Sequence, residues 1–223
     1  MERTLPKTVV VTGGNQGIGY YLVRQLLRQG NRVAVFDRET DKLMDFQKEY
    51  GKEYGDCFLA CVCDVRDEEK IRECVRETVK RWQTIDIAVH NACRCEYLPF
   101  EQTSDDLFQK VLEVNLYGAR HLAEAVLPYM KQQKSGRLIF TSSGVGVTGF
   151  DGISPYAVSK RAIESLAKCL ELEYRKYGIS VHLFHPPLTR TRSAAPLPVP
   201  AEFMAAPEKV GEGLPEILDL GIL

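Results

Sequence analysis

Short runs of β-branched and apolar residues alternate with longer stretches of helical periodicity through most of this chain. The predicted strands are Thr8–Thr12, Arg32–Phe36, Cys57–Val62, Ile85–His90, Arg137–Ser142 and Ile179–Phe184. The predicted helices are Gly17–Gln29, Asp41–Tyr50, Asp67–Trp82, Ser104–Gln133 and Ser154–Tyr177. Apolar strands separated by helices form a parallel sheet that is covered on both faces. We therefore predict an α/β fold of three layers, a doubly wound parallel sheet of the Rossmann type, whose ligands bind beyond the carboxyl ends of the strands.

A single domain accounts for the length of the chain, because 223 residues can bury a substantial core as one unit. We assign residues 1–192 to a catalytic, nucleotide-binding unit and residues 193–223 to a C-terminal segment of the same domain. From Ser193 to Pro207 this segment mixes prolines and alanines with larger apolar residues, which argues against a central strand. Two interpretations stay open, a surface tail or a lid that touches an apolar substrate. The lid residues would be Leu197, Val199, Phe203 and Met204.

The charge balance and the N-terminus exclude several classes of protein. With 29 basic and 30 acidic residues the chain is close to neutral, so nothing favours binding to nucleic acid or to a charged membrane surface. The first ten residues lack the apolar core of a secretory signal, and no apolar run approaches the roughly 18 residues that cross a bilayer. We expect a cytoplasmic protein with no membrane span.

The seven cysteines favour free thiols in a reducing compartment over a disulfide framework. Their number is odd, and several lie in predicted buried strands. Cys61 and Cys63 resemble a metal-ligand pair, but alternate positions on one buried strand explain their spacing better. No second pair with the spacing of a zinc site accompanies them, and we predict no metal.

A glycine-rich turn, in the sequence VTGGNQGIGY, follows the first predicted strand and opens an amphipathic helix. Gly13, Gly17 and Gly19 have the spacing Gly-x-x-x-Gly-x-Gly. Such a turn directs backbone N–H groups at an anion and lets a pyrophosphate approach the main chain without meeting side chains. The position of the turn favours a dinucleotide site over a tight turn without a ligand.

Asp37 ends the second predicted strand and is followed by Arg38. A carboxylate at this point can accept hydrogen bonds from both hydroxyls of an adenosine ribose and repels a 2′-phosphate, so NAD(H) is favoured over NADP(H). NADP(H) stays an alternative, because the Arg38 guanidinium group can reach a phosphate, whereas Gln16 in the glycine turn adds no second positive charge. Taken alone, Asp37 could equally cap a turn.

Tyr156 and Lys160 lie one turn apart on one face of a predicted helix, with Ser154 as its N-cap and Pro155 as its first residue. A phenol has a pKa of about 10, and base catalysis near neutral pH requires a decrease of roughly 3, equivalent to about 4 kcal/mol. A unit charge about 4 Å away supplies this at an effective dielectric constant of about 20, but not in bulk water. We therefore expect the pair in a partly dry cleft. Ser143, at the end of the fifth predicted strand, could hold a substrate oxygen beside the phenol.

In combination, these motifs resemble those of the short-chain dehydrogenase/reductase family from about Thr8 to Thr191. The resemblance is carried by TGGNQGIG, by CDV after the third strand, by NA after the fourth, by Asn115 in VLEVNLYG, by Ser143 and by YAVSK. It implies an oxidoreductase that interconverts a secondary alcohol and a ketone. It also implies a homodimer or homotetramer that associates through the predicted helices 104–133 and 154–177.

The resemblance assigns four catalytic roles. Tyr156 is implied as the general acid/base, and Lys160 as the residue that binds the nicotinamide ribose and lowers the pKa of the tyrosine. Ser143 is implied to orient the substrate carbonyl or carbinol, and Asn115 to hold a water in a proton relay.

Cofactor contacts follow from the same resemblance. Asp64 is expected to accept from the adenine amino group and Val65 to flank the adenine ring. Asn91 is expected to line the adenosine side, and Thr191 to bond the carboxamide. The full predicted cofactor set is Gly13, Asn15, Gln16, Gly17, Ile18, Gly19, Asp37, Arg38, Asp64, Val65, Asn91, Ala92, Tyr156, Lys160, Pro186 and Thr191.

The chain departs from the family pattern at three points. Cys93 replaces the glycine that follows Asn-Ala, so we expect a slight displacement of the adenosine half. Pro187 replaces the glycine after Pro186, a variant similar to ketosphinganine-reductase-like members, which favours an apolar ketone as substrate. The family normally continues through another helix and a seventh strand. For EKVGEGLPEILDLGIL we expect at most a short helix and no strand. Two interpretations stay open, a short member of the family or a truncated sequence, and in both cases we expect an incomplete substrate pocket.

The sequence thus predicts an NAD(H)-dependent oxidoreductase acting on a small-molecule ketone or alcohol. A catalytically weak NAD(H)-binding regulatory or scaffold protein of the same fold is the alternative, motivated by Cys93 and the abbreviated C-terminus. Sugar-nucleotide epimerisation also uses Tyr-x-x-x-Lys, but those relatives resemble longer chains with a different glycine spacing.

Overall fold

The structure is a computed structural model that describes residues 6–220, with the side chains of residues 6–215. The predictions about a signal at residues 1–5 and about the end of the C-terminal segment at residues 221–223 lie outside the described residues. The strands are β1 (Thr8–Thr12), β2 (Arg32–Asp37), β3 (Phe58–Val62), β4 (Ile87–His90), β5 (Gly136–Thr141) and β6 (Ile179–Phe184). The helices are α1 (Gly17–Arg28), α2 (Thr40–Tyr54), α3 (Glu68–Trp82), α4 (Asp105–Leu112), α5 (Gly118–Gln133), α6 (Val145–Thr148), α7 (Ser154–Tyr174) and α8 (Pro207–Leu220). Short 3-10 turns span Gly55–Cys57, Phe100–Gln102, Arg175–Tyr177 and Ala201–Phe203.

All strands of the described residues pair in parallel in one sheet of order β3-β2-β1-β4-β5-β6. Alternate side chains of each strand point to opposite faces. Val10 therefore packs with Ile71 of α3 and Leu122 of α5, while Val9 packs with Leu22 of α1 and Leu43 of α2 on the other face. The predicted doubly wound, three-layer fold is confirmed. The strand order reverses direction beside β1, where the ends of β1 and β4 meet, and ligands of such folds bind there.

The predicted helix Ser104–Gln133 is interrupted. One turn of π-helix at Glu113–Tyr117, called the π-turn below, separates α4 from α5. It contains Asn115, whose side chain bonds outside the helix, as described below. Gly118 then begins α5, where a Cβ would lie only 2.8 Å from Val65 Cγ2 and 3.0 Å from His90 Cε1. The glycine therefore lets α5 approach the sheet closely. Single turns of π-helix within α-helices are frequent at functional sites.

The predicted short C-terminal helix is wrong in length, because α8 has 14 residues. It packs along α1. Tyr21 Oη donates to Glu208 Oε1 at 2.6 Å, and Arg24 pairs with Glu212. Leu214 is buried in the core on the α1 side of the sheet. The helix forms because tertiary contacts offset the low helix propensity of its glycines and of Pro215. No strand follows β6 within the described residues, where Thr189 and Ala205 form an isolated bridge.

None of the helices within residues 6–220 combines the length and apolar character that crossing a bilayer requires. All seven cysteines are free, as predicted. Cys61 in β3 and Cys63, directly after β3 ends, are buried in the core beside Cys74 of α3. Their burial agrees with alternate positions on one face, although the second of them lies just beyond the strand. Within the described part of the chain, no group of three or more His, Cys, Asp or Glu side chains could hold a metal ion.

Candidate active site

The predicted site residues converge on the carboxyl edge of the sheet. The glycine turn follows β1, and the loops after β3, β4, β5 and β6 open at the same edge. The residues brought there are Asp37, Asp64, Val65, Asn91, Ala92, Ser143 and Pro186. Because the strands are parallel, side chains that are distant in sequence share this edge.

The glycine turn is packed so tightly that no side chain fits at the positions of Gly13 and Gly19. Gly13 has φ of +66° and Gly17 has φ of +56°, both in the left-handed region. A Cβ on Gly13 would lie 2.8 Å from Ala92 Cα, and a Cβ on Gly19 would overlap the Gly13 carbonyl oxygen. Gln16 is the N-cap of α1 and its side chain does not cap the helix. The first N–H groups of α1 therefore remain directed at the cleft, where an anion would be stabilised.

Two polar side chains, Asn15 and Asp37, lie where the adenosine half of a dinucleotide is predicted. Asn15 has both amide atoms, Nδ2 and Oδ1, buried without a hydrogen-bond partner among the described residues. Asp37 is 7% exposed, and its Oδ1 accepts from the Glu39 N–H at 3.1 Å. Burial raises the pKa of the Asp37 carboxyl group, although backbone N–H groups oppose this. Unpaired buried amide atoms are costly, so the turn is suited to a ligand that carries hydroxyl groups.

The Asp64 carboxylate already has a partner. Arg66 donates to it with Nε at 3.0 Å from Oδ1 and NH2 at 2.7 Å from Oδ2. Burial raises the pKa of Asp64, but the bonds from Arg66 outweigh it and leave the pKa below its ordinary value. A cavity of about 620 Å³ opens beside this pair and reaches Glu113 and Tyr117 of the π-turn. The acceptor expected for an adenine amino group is therefore partly engaged by an ion pair.

Thr12 fixes the loop after β4. Its Oγ1 accepts from the N–H groups of Asn91 and Ala92, both at 3.2 Å. Asn91 Nδ2 donates to the Gly13 carbonyl oxygen at 2.9 Å. Cys93, which occupies the usual position of a glycine, has its Sγ 3.3 Å from Ser193 Oγ. This thiol thus links the loop after β4 to the C-terminal segment.

Tyr156, Ser143 and Lys160 are the predicted catalytic group, called the centre below. Helix α7 begins at Ser154 with Ile153 as the N-cap, so the prediction of Ser154 as the cap is wrong. The reason is that the Ile153 carbonyl oxygen already accepts from the Ala157 N–H at 3.0 Å. Lys160 is 1% exposed. Its Nζ donates to the Thr141 carbonyl oxygen at 2.7 Å and lies 5.3 Å from the centroid of the Tyr156 ring.

Burial dominates the electrostatics of this centre. It raises the pKa of Tyr156, and the Cys93 and Cys95 thiols raise it further, while a hydrogen bond with Ser143 lowers it. Burial also lowers the pKa of Lys160. The lowering of the Tyr156 pKa by Lys160 stays a prediction, because burial makes the net shift from the protein's own groups upward. The buried Nζ requires an acceptor and finds it in Thr141.

Asn115 uses its amide to hold the π-turn against two neighbours. Its Oδ1 accepts from the Arg94 N–H at 2.7 Å, and its Nδ2 donates to the Arg94 carbonyl oxygen at 3.0 Å and to Ser159 Oγ at 2.8 Å. Both amide hydrogens are thereby committed to protein acceptors. Asn115 thus ties the loop after β4 to α7, close to Lys160.

The segment after β6 folds back over the glycine turn. A Cβ on Gly17 would lie 3.3 Å from Thr191 Cγ2, and Arg192 NH1 donates to Glu39 Oε1 at 2.6 Å. These contacts, with the bond between Cys93 and Ser193, hold the start of the segment beside the glycine turn, and both interpretations of residues 193–207 stay open. Phe203 is nevertheless 73% exposed, so this lid residue faces solvent.

Sequence reasoning missed three contributors to the centre. The Thr141 carbonyl oxygen holds Lys160, Cys95 lies close enough to Tyr156 to raise its pKa, and Glu164 bonds Ser142 beside Ser143. A backbone carbonyl leaves no signal in a sequence. Glu164 could have been found, because it lies one turn beyond Lys160 on the same helix.

Comparison with known proteins identifies relatives along most of the chain. The model of the short chain dehydrogenase family matches residues 7–199. L-fucose dehydrogenase of Bos taurus is 35% identical over 184 residues, which are 81% of this chain and 65% of that protein. 3-Dehydrosphinganine reductase of Danio rerio is 31% identical over 187 residues, which are 82% of this chain and 56% of that protein. The chain thus spans less than two thirds of the length of either relative.

A solved structure has the same architecture. Gluconate 5-dehydrogenase from Burkholderia cenocepacia J2315, in complex with NADP and tartrate, superposes with a TM-score of 0.87 at 25% identity. The superposition covers 97% of this chain and 89% of that one. These findings agree with the family resemblance predicted from the motifs, including the similarity to sphinganine-type reductases.

Proposed function

The chain belongs to the short-chain dehydrogenase family, and on that premise we propose that it is an NAD(H)-dependent oxidoreductase interconverting a secondary alcohol and a ketone. The observation that carries the proposal is the grouping of Ser143, Tyr156 and Lys160. The Ser143 hydroxyl is near enough to lower the pKa of the Tyr156 phenol, and the buried Lys160 Nζ lies 5.3 Å from the centroid of the phenol ring.

The glycine turn supports a dinucleotide as the cofactor. Gly13 and Gly19 leave room only for backbone, the N-terminus of α1 is uncapped by a side chain, and the Asn15 amide has no partner within the described residues. A pyrophosphate would meet the N–H groups of α1, and an adenosine ribose would meet Asn15 and Asp37. The residues present therefore fit this cofactor.

Tyr156 and Ser143 act on the reacting oxygen. A bound nicotinamide supplies the hydride for ketone reduction and accepts it in alcohol oxidation. Tyr156 donates its proton to the carbonyl oxygen, and Ser143 donates a hydrogen bond that holds the same oxygen. Burial keeps the phenol protonated, which suits an acid in the reductive direction.

Lys160 supplies hydrogen-bond donors to the protein backbone, to the cofactor and to the phenol. One of its three ammonium hydrogens bonds Thr141, which leaves two for ribose hydroxyls and for the phenol. Asn115 fixes the turn beside it through Arg94 and Ser159. In the proposal, this side of the cleft returns the proton that Tyr156 gives up, with Asn115 as the positioning group of the relay.

Asp37 favours NAD(H) over NADP(H). Its carboxylate is buried at the end of β2, where a 2′-phosphate would experience like-charge repulsion. Arg38 is the counter-argument, and the Burkholderia relative was solved in complex with NADP. We propose NAD(H) as the preferred cofactor and NADP(H) as the alternative.

The substrate is proposed to be an apolar ketone or its alcohol. Leu188 and Phe203 are exposed in the segment after β6, and the Danio rerio relative is a 3-dehydrosphinganine reductase. L-fucose dehydrogenase, in contrast, is named for a polar sugar. The proposal is completed by a catalytic unit at residues 1–192, a C-terminal segment of the same domain whose residues 193–207 form a lid, a cytoplasmic location, and a homodimer or homotetramer.

The Tyr156→Phe variant tests the acid/base role. We expect it to bind dinucleotide with near-normal affinity and to lose about 10²–10⁴-fold in turnover, the usual contribution of a general acid. Stopped assays with a panel of apolar ketones and titration of dinucleotide fluorescence measure the two effects. Near-normal turnover with binding retained would remove Tyr156 from the mechanism.

A catalytically weak NAD(H)-binding regulatory or scaffold protein is the second candidate. Cys93 favours it, because its Sγ lies 3.3 Å from Ser193 Oγ and so ties the loop after β4 to the C-terminal segment. Such a protein would show dinucleotide affinity without turnover of any ketone or alcohol in the panel. Turnover that depends on Tyr156 would exclude it.

A further inference from the structure

Glu164 is a buried carboxylate that joins three elements at the carboxyl edge of the sheet. Its side chain is 6% exposed. Oε1 accepts from Ser142 Oγ at 3.1 Å and from His185 Nε2 at 3.0 Å, and Oε2 accepts from Arg161 NH1 at 2.7 Å. These donors come from the end of β5, from the loop after β6 and from α7.

Each of the three elements carries part of the proposed active site. Ser142 directly precedes Ser143, and its N–H donates to the Phe184 carbonyl oxygen at 2.7 Å. His185 directly precedes Pro186 at the start of the segment that leads to Thr191. Helix α7 carries Tyr156 and Lys160. A single carboxylate thus lies where the substrate serine, the acid/base helix and the cofactor loop meet.

A buried carboxylate is costly at this point unless all of its bonds are made. Burial raises the pKa of Glu164, but the bonds from His185, Arg161 and Ser142 outweigh it and hold the pKa below its ordinary value. The group is therefore ionised, and its bonds are charge-assisted and directional. An apolar residue of similar volume would fill the space without fixing the three elements in register.

We propose that Glu164 is a positioning residue that sets the distance between Ser143, the Tyr156–Lys160 pair and the loop from His185 to Thr191. It contacts Ser142 and His185 rather than the proposed reacting groups. The proposal rests on the proposed oxidoreductase function. Misplacement of reacting groups by about 1 Å costs about 10²-fold in rate, which sets the scale of the expected effect.

The test compares Glu164→Gln with Glu171→Gln. Glu171 lies on the same helix and also accepts from β6, at 2.6 Å from the Val181 N–H, but at the other end of the strand. We expect Glu164→Gln to lower kcat by about 10–100-fold and to weaken dinucleotide binding, with a smaller change in KM for the ketone. Glu171→Gln should lower the melting temperature while leaving kcat within about twofold. Equal kcat in the two variants overturns the proposal.

His185 provides a rescue pair that does not disturb the core, since its side chain is 43% exposed. His185→Gln keeps an N–H donor for Glu164 Oε1, and His185→Leu removes it. We expect kcat to stay near that of the parent protein in the first variant and to fall about tenfold in the second. Equal losses in both variants contradict positioning through Glu164, and this comparison stands even where Glu164→Gln does not fold.

A readout without turnover separates this proposal from the proposed function. If the parent protein binds dinucleotide but reduces no ketone, hydrogen exchange over residues 185–192 is measured instead. Glu164→Gln should lose protection in that segment and bind dinucleotide more weakly, whereas Glu171→Gln should do neither. If hydrogen-exchange protection and dinucleotide affinity are unchanged in Glu164→Gln, the positioning role is contradicted, whatever the activity of the parent protein.

Discussion

The docking of α8 on α1 depends on one glycine and not on its neighbour in the same helix. A Cβ on Gly211 would lie 2.5 Å from the Ile18 carbonyl oxygen, 2.7 Å from Tyr21 Cβ and 3.0 Å from Leu22 N, whereas a Cβ on Gly213 would meet nothing within 4 Å. Carbon contacts are optimal at about 3.5–4.0 Å. Gly211→Ala therefore requires the two helices to separate by about 1 Å.

The magnitude follows from comparing Gly211→Ala with Gly213→Ala. Replacing a helical glycine by alanine favours the helix by about 1 kcal/mol, and this gain is common to both variants. Overpacking at Gly211 costs about 1–3 kcal/mol. Because the common gain cancels, the free energies of unfolding should differ by about 1–3 kcal/mol, with Gly213→Ala the more stable. For a domain of this size each kcal/mol corresponds to about 2–4 °C in melting temperature.

Thermal unfolding followed by circular dichroism measures the difference, with the parent protein as reference. Ile18 belongs to the glycine-rich motif, so Gly211→Ala should also weaken dinucleotide binding, and Gly213→Ala should leave it unchanged. Two variants with the same melting temperature, or a Gly211→Ala protein that is the more stable of the two, would refute the tight contact between α8 and the start of α1.

Two further predictions concern pH and the cofactor. Full burial lowers the pKa of His90 to about 3. Between pH about 6.5 and 3 the unfolded chain therefore binds a proton that the folded chain does not, and the free energy of unfolding decreases as the pH falls. His90→Asn should reduce the slope of this decrease by up to about 1.4 kcal/mol per pH unit. Urea unfolding from pH 7 to 4.5 measures the slopes, and parallel curves for parent and variant contradict the expectation. Burial raises the pKa of Asp37, so the ionised carboxylate destabilises the folded state at any pH above that raised pKa. Asp37→Asn should therefore have a higher free energy of unfolding than the parent protein at pH 7. This difference should disappear below the unfolded pKa of about 3.9. The same variant should bind NAD(H) about 10–100-fold more weakly, since hydrogen bonds to a charged group contribute about 1.5–3 kcal/mol. Calorimetry measures the affinity. A variant that is less stable than the parent protein and binds NAD(H) normally would contradict the stability prediction and the binding prediction.

The order of strands and helices was predictable because it depends on local pattern. β1 and β6 have the predicted bounds, and the other strands begin or end within two residues of them. Buried parallel strands read as continuous apolar runs, and amphipathic helices show their own period. The interruption at Asn115 was not predictable, because the π-turn is fixed by bonds to Arg94 and Ser159, which lie 21 and 44 residues away.

The candidate residues were likewise visible in the sequence, but their electrostatics were not. The spacing of Tyr156 and Lys160 placed them one turn apart on α7. Only the packed structure determined that Lys160 Nζ bonds the Thr141 carbonyl oxygen and that burial raises the pKa of the phenol. A pKa depends on how much water is excluded and on which charges lie nearby, and neither quantity is contained in a motif.

By itself, the sequence determined the α/β fold, the glycine turn and the family, since each depends on residue types at short spacings. Tertiary structure alone decided that α8 docks against α1, that Cys93 contacts Ser193 and that Glu164 joins β5, α7 and the loop after β6. These contacts join residues as far apart in the sequence as Glu164 and His185, 21 positions, and Arg24 and Glu212, 188 positions. A local pattern specifies which face of an element is apolar or polar, whereas the partner of that face is selected only when all the elements compete for the same buried volume.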